Sequence, residues 1–439
     1  MKKKMFVLSG MVLALLSLSA CGSSNNDGSN EAGGKTEEGK TKITFNWWGS
    51  EVRHERYIKA IELFESENPD IDVEYEYSAW DDYWKKLATK SAAGELPDIM
   101  QMDAQYLAQY GEKNQLADLS SYIGEEISKE GINEAILNTA LIQDRILAMT
   151  PAVNAMSMLI NEEKVSLASS TLDYSTYTFS DFVKTVEEVK KATGQYGWID
   201  VSDNSVLLQY FLRTKGEDIY KYNANGTPEI GFSKGNFLTF MEAIASLAAS
   251  EALPTAEVVN NLKSFDENPF ALGEAGFLQT WTNQYVTYQE SAGEEVKISM
   301  ELPYDTKGTK ALYYRPTFYY SVAETSKNKE AAAKFIDFIV NNVEAGKIFG
   351  TERGIPANVN VKEAIYPDMS ETEKATADYL DAIEDLVGDA SPVPPVGYSE
   401  INNHFKEVYA EVTYGTMTPE EAYTSFVEKA EEIFDENYN

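Results

Sequence analysis

The hydrophobic pattern between residues 43 and 106 switches repeatedly between two periods. A period of two residues is that of a strand, and a period of three to four is that of a helix with one apolar face. The stretch therefore predicts a strand, helix, strand, helix and strand in that order. The positions that carry the pattern are Ile43, Phe45 and Trp47; Tyr57, Ala60, Ile61 and Phe64; Ile71, Val73, Tyr75 and Tyr77; Trp84, Leu87 and Ala88; and Ile99 to Met102.

The ends of the three predicted strands share one chemical character. Parallel strands need crossover connections, and right-handed crossovers bring all three strand ends to one edge of the sheet. Ligands of open α/β sheets bind beyond that edge. The edge sequences are Trp47-Trp48-Gly49-Ser50, Tyr77-Ser78-Ala79-Trp80 and Asp103-Ala104-Gln105-Tyr106. Flat aromatic faces beside a few hydrogen-bonding groups suit a sugar ligand.

Four short groups of residues occur in a fixed order between residues 47 and 99. They are Trp47-Trp48-Gly49, Phe64 with Asn68-Pro69, Tyr83 with Lys86-Leu87, and Ala93-Gly94 with Pro97-Asp98-Ile99. In this order and spacing they resemble the opening of family 1 extracellular solute-binding proteins, which capture carbohydrates for bacterial ABC importers. Each group consists of common residues, so the order and spacing carry the resemblance.

The resemblance implies an α/β protein with a two-lobed periplasmic-binding-protein-like fold. Each lobe would be a mainly parallel sheet flanked by helices, and the ligand cleft would lie between the lobes. Lobe I would comprise residues 42–150 and 312–362, and lobe II residues 151–311 and 363–439. The chain length agrees with this expectation, because about 400 residues exceed what a single hydrophobic core usually organises.

Two crossings between the lobes are expected to act as hinges. One is Thr150-Pro151, and the other lies between Ala311 and Pro316. The local sequence at Thr150-Pro151 is equally compatible with a plain strand interrupted by an edge proline.

The beginning of the chain has the pattern of a secreted lipoprotein. Lys2-Lys3-Lys4 precedes an apolar run that ends at Ala20, which predicts a signal peptide over residues 1–20. Leu18-Ser19-Ala20-Cys21 resembles a lipobox, in which Cys21 would be lipidated and the acyl chains would hold the protein on the membrane. Residues 21–41, rich in Ser, Gly, Asn and Glu, then form a flexible tether. An ordinary signal peptide followed by an incidental cysteine is the alternative.

The net charge of −34 predicts a well-solvated surface and argues against nucleic-acid binding. With two histidines and one cysteine, a Cys/His metal site is excluded by count, and internal disulfides are excluded as well. The sequence contains neither a P-loop nor a dinucleotide fingerprint at a strand–helix junction, so no cofactor is expected. We expect a monomer.

Five candidate ligand-binding residues fall in or next to the first lobe. Trp48 and Trp80 could stack on sugar faces, or could pack beneath the loops instead. Asp103 and Asn154 could bind hydroxyl groups, or could simply be solvated. Arg53 begins the first helix, where a cation is unfavourable against the helix dipole. It would suit an acidic sugar such as a uronate if it pointed into the cleft, although a surface salt bridge to a nearby Glu is the preferred explanation.

The facing wall is expected to come from the second lobe. The stretch from Ala275 to Trp281 resembles the family's strand that ends in a ligand-stacking tryptophan. Trp198, Tyr304 and Tyr398, also aromatic and near predicted strand or helix ends, complete the candidate set.

These observations predict a lipid-anchored protein on the outer face of the bacterial cell membrane. It would capture an oligosaccharide and deliver it to an ABC importer permease, without catalysis. The alternative is a secreted carbohydrate-active lipoprotein, a glycosidase or lyase that uses paired carboxylates. With 71 acidic residues, such pairs arise by chance, so the acids alone do not favour it.

Overall fold

The computed structural model describes residues 39–199, 205–262, 264–392 and 394–438. The predicted signal peptide, Cys21 and nearly all of the predicted tether lie outside the described residues. None of the described helices combines the length and the apolar composition needed to cross a bilayer.

The first part of the described chain alternates strands and helices, as its hydrophobic pattern predicts. Its elements are β1 (Thr41–Trp48), α1 (Glu51–Glu67), β2 (Ile71–Ser78), α2 (Trp80–Ala93), β3 (Ile99–Met102), α3 (Ala104–Glu112), α4 (Glu134–Leu137), β4 (Leu141–Ile142), β5 (Arg145–Ile146), β6 (Ala152–Asn154) and β7 (Met156–Asn161).

The middle part is richer in helix. Its elements are α5 (Glu162–Val165), α6 (Phe179–Thr193), β8 (Tyr196–Ile199), α7 (Ser205–Arg213), β9 (Tyr220–Tyr222), β10 (Pro228–Ile230), α8 (Lys234–Ala249), α9 (Ala256–Asn260), β11 (Ala275–Trp281), α10 (Gln284–Ala292) and β12 (Ile298–Glu301).

Three short strands and six helices complete the described chain. They are β13 (Arg315–Pro316), β14 (Tyr319–Val322), α11 (Lys329–Asn341), α12 (Val343–Phe349), β15 (Ile355–Pro356), α13 (Val359–Ile365), α14 (Glu371–Ala382), α15 (Tyr398–Thr413) and α16 (Pro419–Tyr438).

The first sheet has the strand order β14-β3-β1-β2. β1 is parallel to β2 and to β3, whereas β14 returns late in the chain and pairs antiparallel with β3. The predicted βαβαβ unit is therefore confirmed, and the carboxyl ends of β1, β2 and β3 share one edge. Its core is aromatic: Phe45 contacts the rings of Trp47, Tyr57, Tyr320 and Phe335.

The second sheet has the order β12-β7-β11-β8 and differs from the expectation of a mainly parallel sheet. Only β11 and β8 are parallel, because β7 runs antiparallel to both β11 and β12. A separate hydrophobic core packs around it, with α6, α7, α8, α15 and α16. A smaller cluster covers the other face of the second sheet. The predicted α/β class is confirmed, and the direction of the second sheet is corrected.

A third sheet connects the two cores. Its order is β13-β6-β15, with the central β6 antiparallel to both neighbours. Pro316 and Pro356 lie on the two edge strands, where a missing N–H removes no interior ladder bond. The chain thus passes between the cores three times, and two of these crossings, at Thr150-Pro151 and between Ala311 and Pro316, are the predicted hinges. Ile355 and Ala357, which the predicted boundaries assign to lobe I, pack in the second core. The exact lobe boundaries stay a prediction.

Glu76 on β2 joins the first sheet to α2 through two ion pairs. Its carboxylate oxygens lie 2.8 Å from Lys86 Nζ and 2.6 Å from Lys90 Nζ. Burial of the carboxyl group raises its pKa, but the hydrogen bonds and charges of both lysines outweigh that effect. Together they lower the pKa of Glu76 to about 2.

Glu76→Gln should lower the melting temperature at pH 7 and should lower it by a smaller amount in acid. The folded pKa lies below the unfolded value of 4.5, so the stabilisation is complete above pH 4.5 and is lost as the pH falls towards 2. The pairs are partly exposed, so we expect less than about 1 kcal/mol. Thermal unfolding of both proteins at pH 7 and pH 3.5 measures the difference. If the difference in melting temperature between the two proteins does not narrow in acid, the loss of stability is due to packing and not to charge.

Candidate ligand-binding cleft

Five rings form a continuous surface, the aromatic edge, at the carboxyl edge of the first sheet. Trp48 ends β1, and its ring lies 4.9 Å from that of Trp80 and 6.0 Å from that of Phe318, between ring centroids. Trp84 lies 5.5 Å from Trp80 and stacks on Tyr106 at 3.8 Å. The Trp80 side chain is 37 % exposed, whereas Trp48 is only 8 % exposed. The accessible face of the aromatic edge is therefore that of Trp80.

Local sequence explains how the aromatic edge is built. Successive strand residues point to opposite faces, so Trp47 enters the core while Trp48 faces the other way. Trp47 is held by a hydrogen bond from its Nε1 to His54 Nδ1 at 3.0 Å. Trp80 and Trp84 are four residues apart and so share one face of α2.

Arg53 is held in an ion pair beside the aromatic edge. Its Nε and Nη2 lie 3.0 and 2.9 Å from Glu352 Oε1, and both side chains are largely buried. Between the two explanations that the sequence left open, the structure therefore favours the ion pair. The partner follows Arg53 by 299 positions, so it is not a local one.

Arg353 lies next to this pair and is buried among rings. Its guanidinium carbon is 3.8 Å from the Tyr57 ring centroid, 4.3 Å from that of Phe349 and 4.9 Å from that of Phe318. It also donates a hydrogen bond to the hydroxyl of Tyr320. Burial lowers the pKa of Arg353 to about 10, so the side chain stays charged at neutral pH.

The second wall begins at Trp281, the last residue of β11. The guanidinium carbon of Arg315 lies 4.5 Å from the centre of the Trp281 ring, and the Tyr313 ring meets its edge at 5.9 Å. Asp103, at the end of β3, is electrostatically coupled to Arg315. Burial raises the pKa of Asp103, and the charge of Arg315 acts in the opposite direction. Arg315 thus contacts Trp281 directly and lies within electrostatic range of Asp103 at the edge of the first sheet.

Asn154 and Asp103 take different roles at this junction. Asn154 is 5 % exposed in β6, opposite Arg315, and its Oδ1 lies 3.5 Å from Thr282 Oγ1. Asp103 caps α3 by accepting a hydrogen bond from the backbone N–H of Gln105 at 3.0 Å. Asn154 is therefore a buried connection between the lobes, while Asp103 stays partly accessible.

Two candidates, Trp198 and Tyr304, belong to the second core and cannot touch a ligand. Both are 0 % exposed. Each ring contacts Phe182, at 5.2 Å for Trp198 and 5.3 Å for Tyr304. Trp198 points from β8 into the helix layer, and Tyr304 turns back onto α6 after β12. Tyr398 is half-buried and packs against Tyr220 at 5.4 Å.

Sequence reasoning missed four residues around this cleft: Trp84, Tyr106, Phe318 and Arg315. The spacing of Trp80 and Trp84 could have revealed Trp84, because positions i and i+4 are neighbours on a helix. Tyr106 lies in a strand-end sequence that was recognised as part of the edge. Nothing in the local sequence distinguishes Phe318 or Arg315.

A different concavity of about 830 Å³ opens between α15 and α16. Most of its lining residues are polar or charged and include Glu420, Glu421, Glu428 and Lys429. None of its lining residues belongs to a strand, and no Trp, Tyr or Phe ring is among them. We therefore assign the site to the aromatic edge and Trp281. Among the described residues, no group of three or more acids, histidines or cysteines is arranged to hold a metal ion.

Comparison with known proteins agrees with this fold. The sequence profile of the bacterial extracellular solute-binding protein family matches residues 30–345. A putative binding protein of Brucella abortus is 23 % identical over 365 residues, covering 81 % of this chain and 82 % of its own length.

Two solved structures are similar over 91 % of this chain and all of their own. One, from Alicyclobacillus acidocaldarius, is a family 1 extracellular solute-binding protein with a TM-score of 0.77 and 26 % identity. The other is a periplasmic oligogalacturonide-binding protein from Yersinia enterocolitica, with a TM-score of 0.77 and 19 % identity. The second similarity supports the two-lobed fold alone.

Trp198→Ala should destabilise the protein more than Trp80→Ala does, because Trp198 lies in the core and Trp80 on the surface. Truncating the fully buried Trp198 should cost about 3–5 kcal/mol of unfolding free energy, because it leaves a cavity. Truncating the exposed Trp80 should cost less than about 1 kcal/mol. Urea unfolding followed by far-UV circular dichroism measures both. Equal losses for the two variants would contradict the assignment of Trp198 to the core and Trp80 to the surface.

Proposed function

The chain belongs to the bacterial extracellular solute-binding protein family, and on this basis we propose that it captures an oligosaccharide between the aromatic edge and Trp281. The family serves ABC importers outside the cytoplasm. The observation that carries the proposal is the exposed face of Trp80, supported from behind by Trp48 and Trp84. A sugar ring presents a flat apolar face that an aromatic ring can cover, with hydroxyl groups around its rim.

The arrangement of the strand ends supports binding across two lobes. Trp80 belongs to the first lobe and Trp281 to the second, and the chain crosses between the two cores at β6, β13 and β15. Hinge closure around a ligand is the usual motion of such proteins. A ligand that touches both walls favours the closed state only by its difference in affinity for the two states.

The ligand class is supported by one further comparison. The similar Yersinia enterocolitica protein is a periplasmic oligogalacturonide-binding protein. At 19 % identity this does not transfer a particular sugar to the present chain, but it is compatible with an oligosaccharide ligand.

The alternative of an enzyme with paired carboxylates gains no support from the cleft. Glu162 and Glu301 interact, since burial and then the charge of Glu162 raise the pKa of Glu301. However, Glu162 follows the Asn161 end of β7, whereas Trp281 pairs with Met156 at the other end. This pair is therefore not positioned at the proposed site.

Oligosaccharides should raise the melting temperature of the wild-type protein, and Trp80→Ala should reduce that effect. A ligand that binds only the native state adds roughly 2.7 kcal/mol at a hundredfold excess over Kd. Losing one stacking face should cost roughly 1–3 kcal/mol of binding, by analogy with a base stacked on an aromatic ring. A thermal-shift panel of plant oligosaccharides, followed by calorimetry, provides the measurement.

Tyr414→Ala is the matched control for Trp80→Ala, because Tyr414 is an exposed aromatic residue at the end of α15. It should leave the affinity unchanged. A protein that responds to no sugar but to peptides or metal ions would overturn the proposed ligand class. Steady release of cleaved sugar would overturn the non-catalytic assignment.

Cys21→Ser should release the protein into the medium. We propose that acyl chains on Cys21 hold the protein at the outer face of the cell membrane, where it delivers sugar to a permease. Stable anchoring by lipid needs more than one buried chain, and the acidic protein has no electrostatic attraction to anionic headgroups. Fractionation of cells expressing both forms tests this proposal. A variant that still sediments with membranes would rule out Cys21 as the anchor.

A further inference from the structure

Arg315 is the cation on the Trp281 side of the proposed cleft. It lies in β13, its side chain is exposed, and its guanidinium group covers one face of Trp281 at 4.5 Å. The charge of Arg315 also acts on the carboxyl group of Asp103, at the edge of the first sheet, where burial raises the pKa of that group and this charge lowers it. Arg315 is therefore in contact with one wall and within electrostatic range of the other.

The guanidinium group of Arg315 has no ion pair and donates no hydrogen bond within the part of the chain that the structure describes. The other arginines near the core are engaged: Arg53 pairs with Glu352, and Arg213 pairs with Asp218 at 3.2 Å. Asp103 does not neutralise Arg315 by a direct contact, since its carboxylate caps α3. In a chain with 71 acidic and 37 basic residues, an arginine that remains unpaired is informative.

We propose that Arg315 binds a carboxylate group of the ligand, so that the captured oligosaccharide carries a uronic acid residue. This inference rests on the proposed oligosaccharide-binding function and adds the chemical class of the sugar. A guanidinium group offers a planar fork of N–H donors that matches the two oxygens of a carboxylate. Stacking on Trp281 fixes the plane of that fork before the ligand arrives, which lowers the entropic cost of binding.

The number of available charges favours a singly charged group such as a carboxylate over a doubly charged phosphate monoester. Arg53 is neutralised by Glu352, and Arg353 is only 5 % exposed beneath Phe318. One free cation therefore remains at this position in the described chain, which balances a single negative charge. Trp281 acts here as a positioning residue, and the face available for sugar stacking is that of Trp80.

Titration calorimetry with the full chain, in detergent if it carries lipid, tests the inference. The two probes are digalacturonic acid and its neutral counterpart, digalactose with the same linkage. We expect wild-type protein to bind the acidic sugar at least about tenfold more tightly at low salt. Arg315→Gln should weaken the acidic sugar roughly 10- to 100-fold, the range for a charge-assisted hydrogen bond, and change the neutral sugar less than about twofold.

Three further variants show which property of Arg315 is responsible for binding the acidic sugar. Lys59→Gln, an exposed site on α1, removes the same charge and should change neither affinity. Arg315→Lys keeps the charge without the planar fork and should bind the acidic sugar with intermediate affinity, even if Arg315→Gln proves unstable. Trp281→Leu should weaken the acidic sugar more than the neutral one, because Arg315 then loses its support.

The outcomes separate this inference from the proposed function. Equal affinity for both sugars, or equal weakening of both by Arg315→Gln, overturns the role of Arg315 while oligosaccharide binding stands. If the protein binds other neutral oligosaccharides but neither probe, the role of Arg315 is likewise overturned and oligosaccharide binding stands. A protein that binds no sugar at all overturns the proposed function itself.

Discussion

The relation between the two lobes depends on the three-stranded sheet in which β6 pairs with β13 and β15. The backbone N–H of Thr317 donates to Ala152 at 3.1 Å, and that of Ala357 donates to Pro151 at 2.9 Å. These bonds join the three chain segments that run between the cores, so none of them can move alone. Any change in the angle between the lobes must bend all three strands together.

One buried cation attaches this sheet to the first core. Arg353 precedes β15 by two positions, and its guanidinium group lies among the rings of Tyr57, Phe318 and Phe349. Cation–π contacts replace part of the hydration that the charge gives up on burial. Phe318 in turn touches Trp48. The position of the aromatic edge is therefore mechanically tied to the crossings between the lobes.

The sequence predicted those parts of the structure that depend on local period, and missed those that depend on distant partners. Alternation defined β1 and β2, and a short apolar run defined β3, yet a period of two is the same for parallel and antiparallel strands. The direction of β7 within its sheet was therefore not accessible. For the same reason Trp198 and Trp281 looked alike, although only one reaches the end of its sheet. Glu352 is the partner of Arg53 across almost the whole chain, and no spacing rule reveals it.

The acidic surface sets a kinetic condition on any negatively charged ligand. A chain with a net charge of −34 repels an anion at long range, whereas a cation inside a cleft attracts it only at close approach. Added salt screens the long-range repulsion and so speeds the encounter, and it also weakens the short-range attraction and so hastens departure. Association and dissociation would then both accelerate with ionic strength, which makes capture of such a solute more rapidly reversible in saline surroundings than in dilute ones.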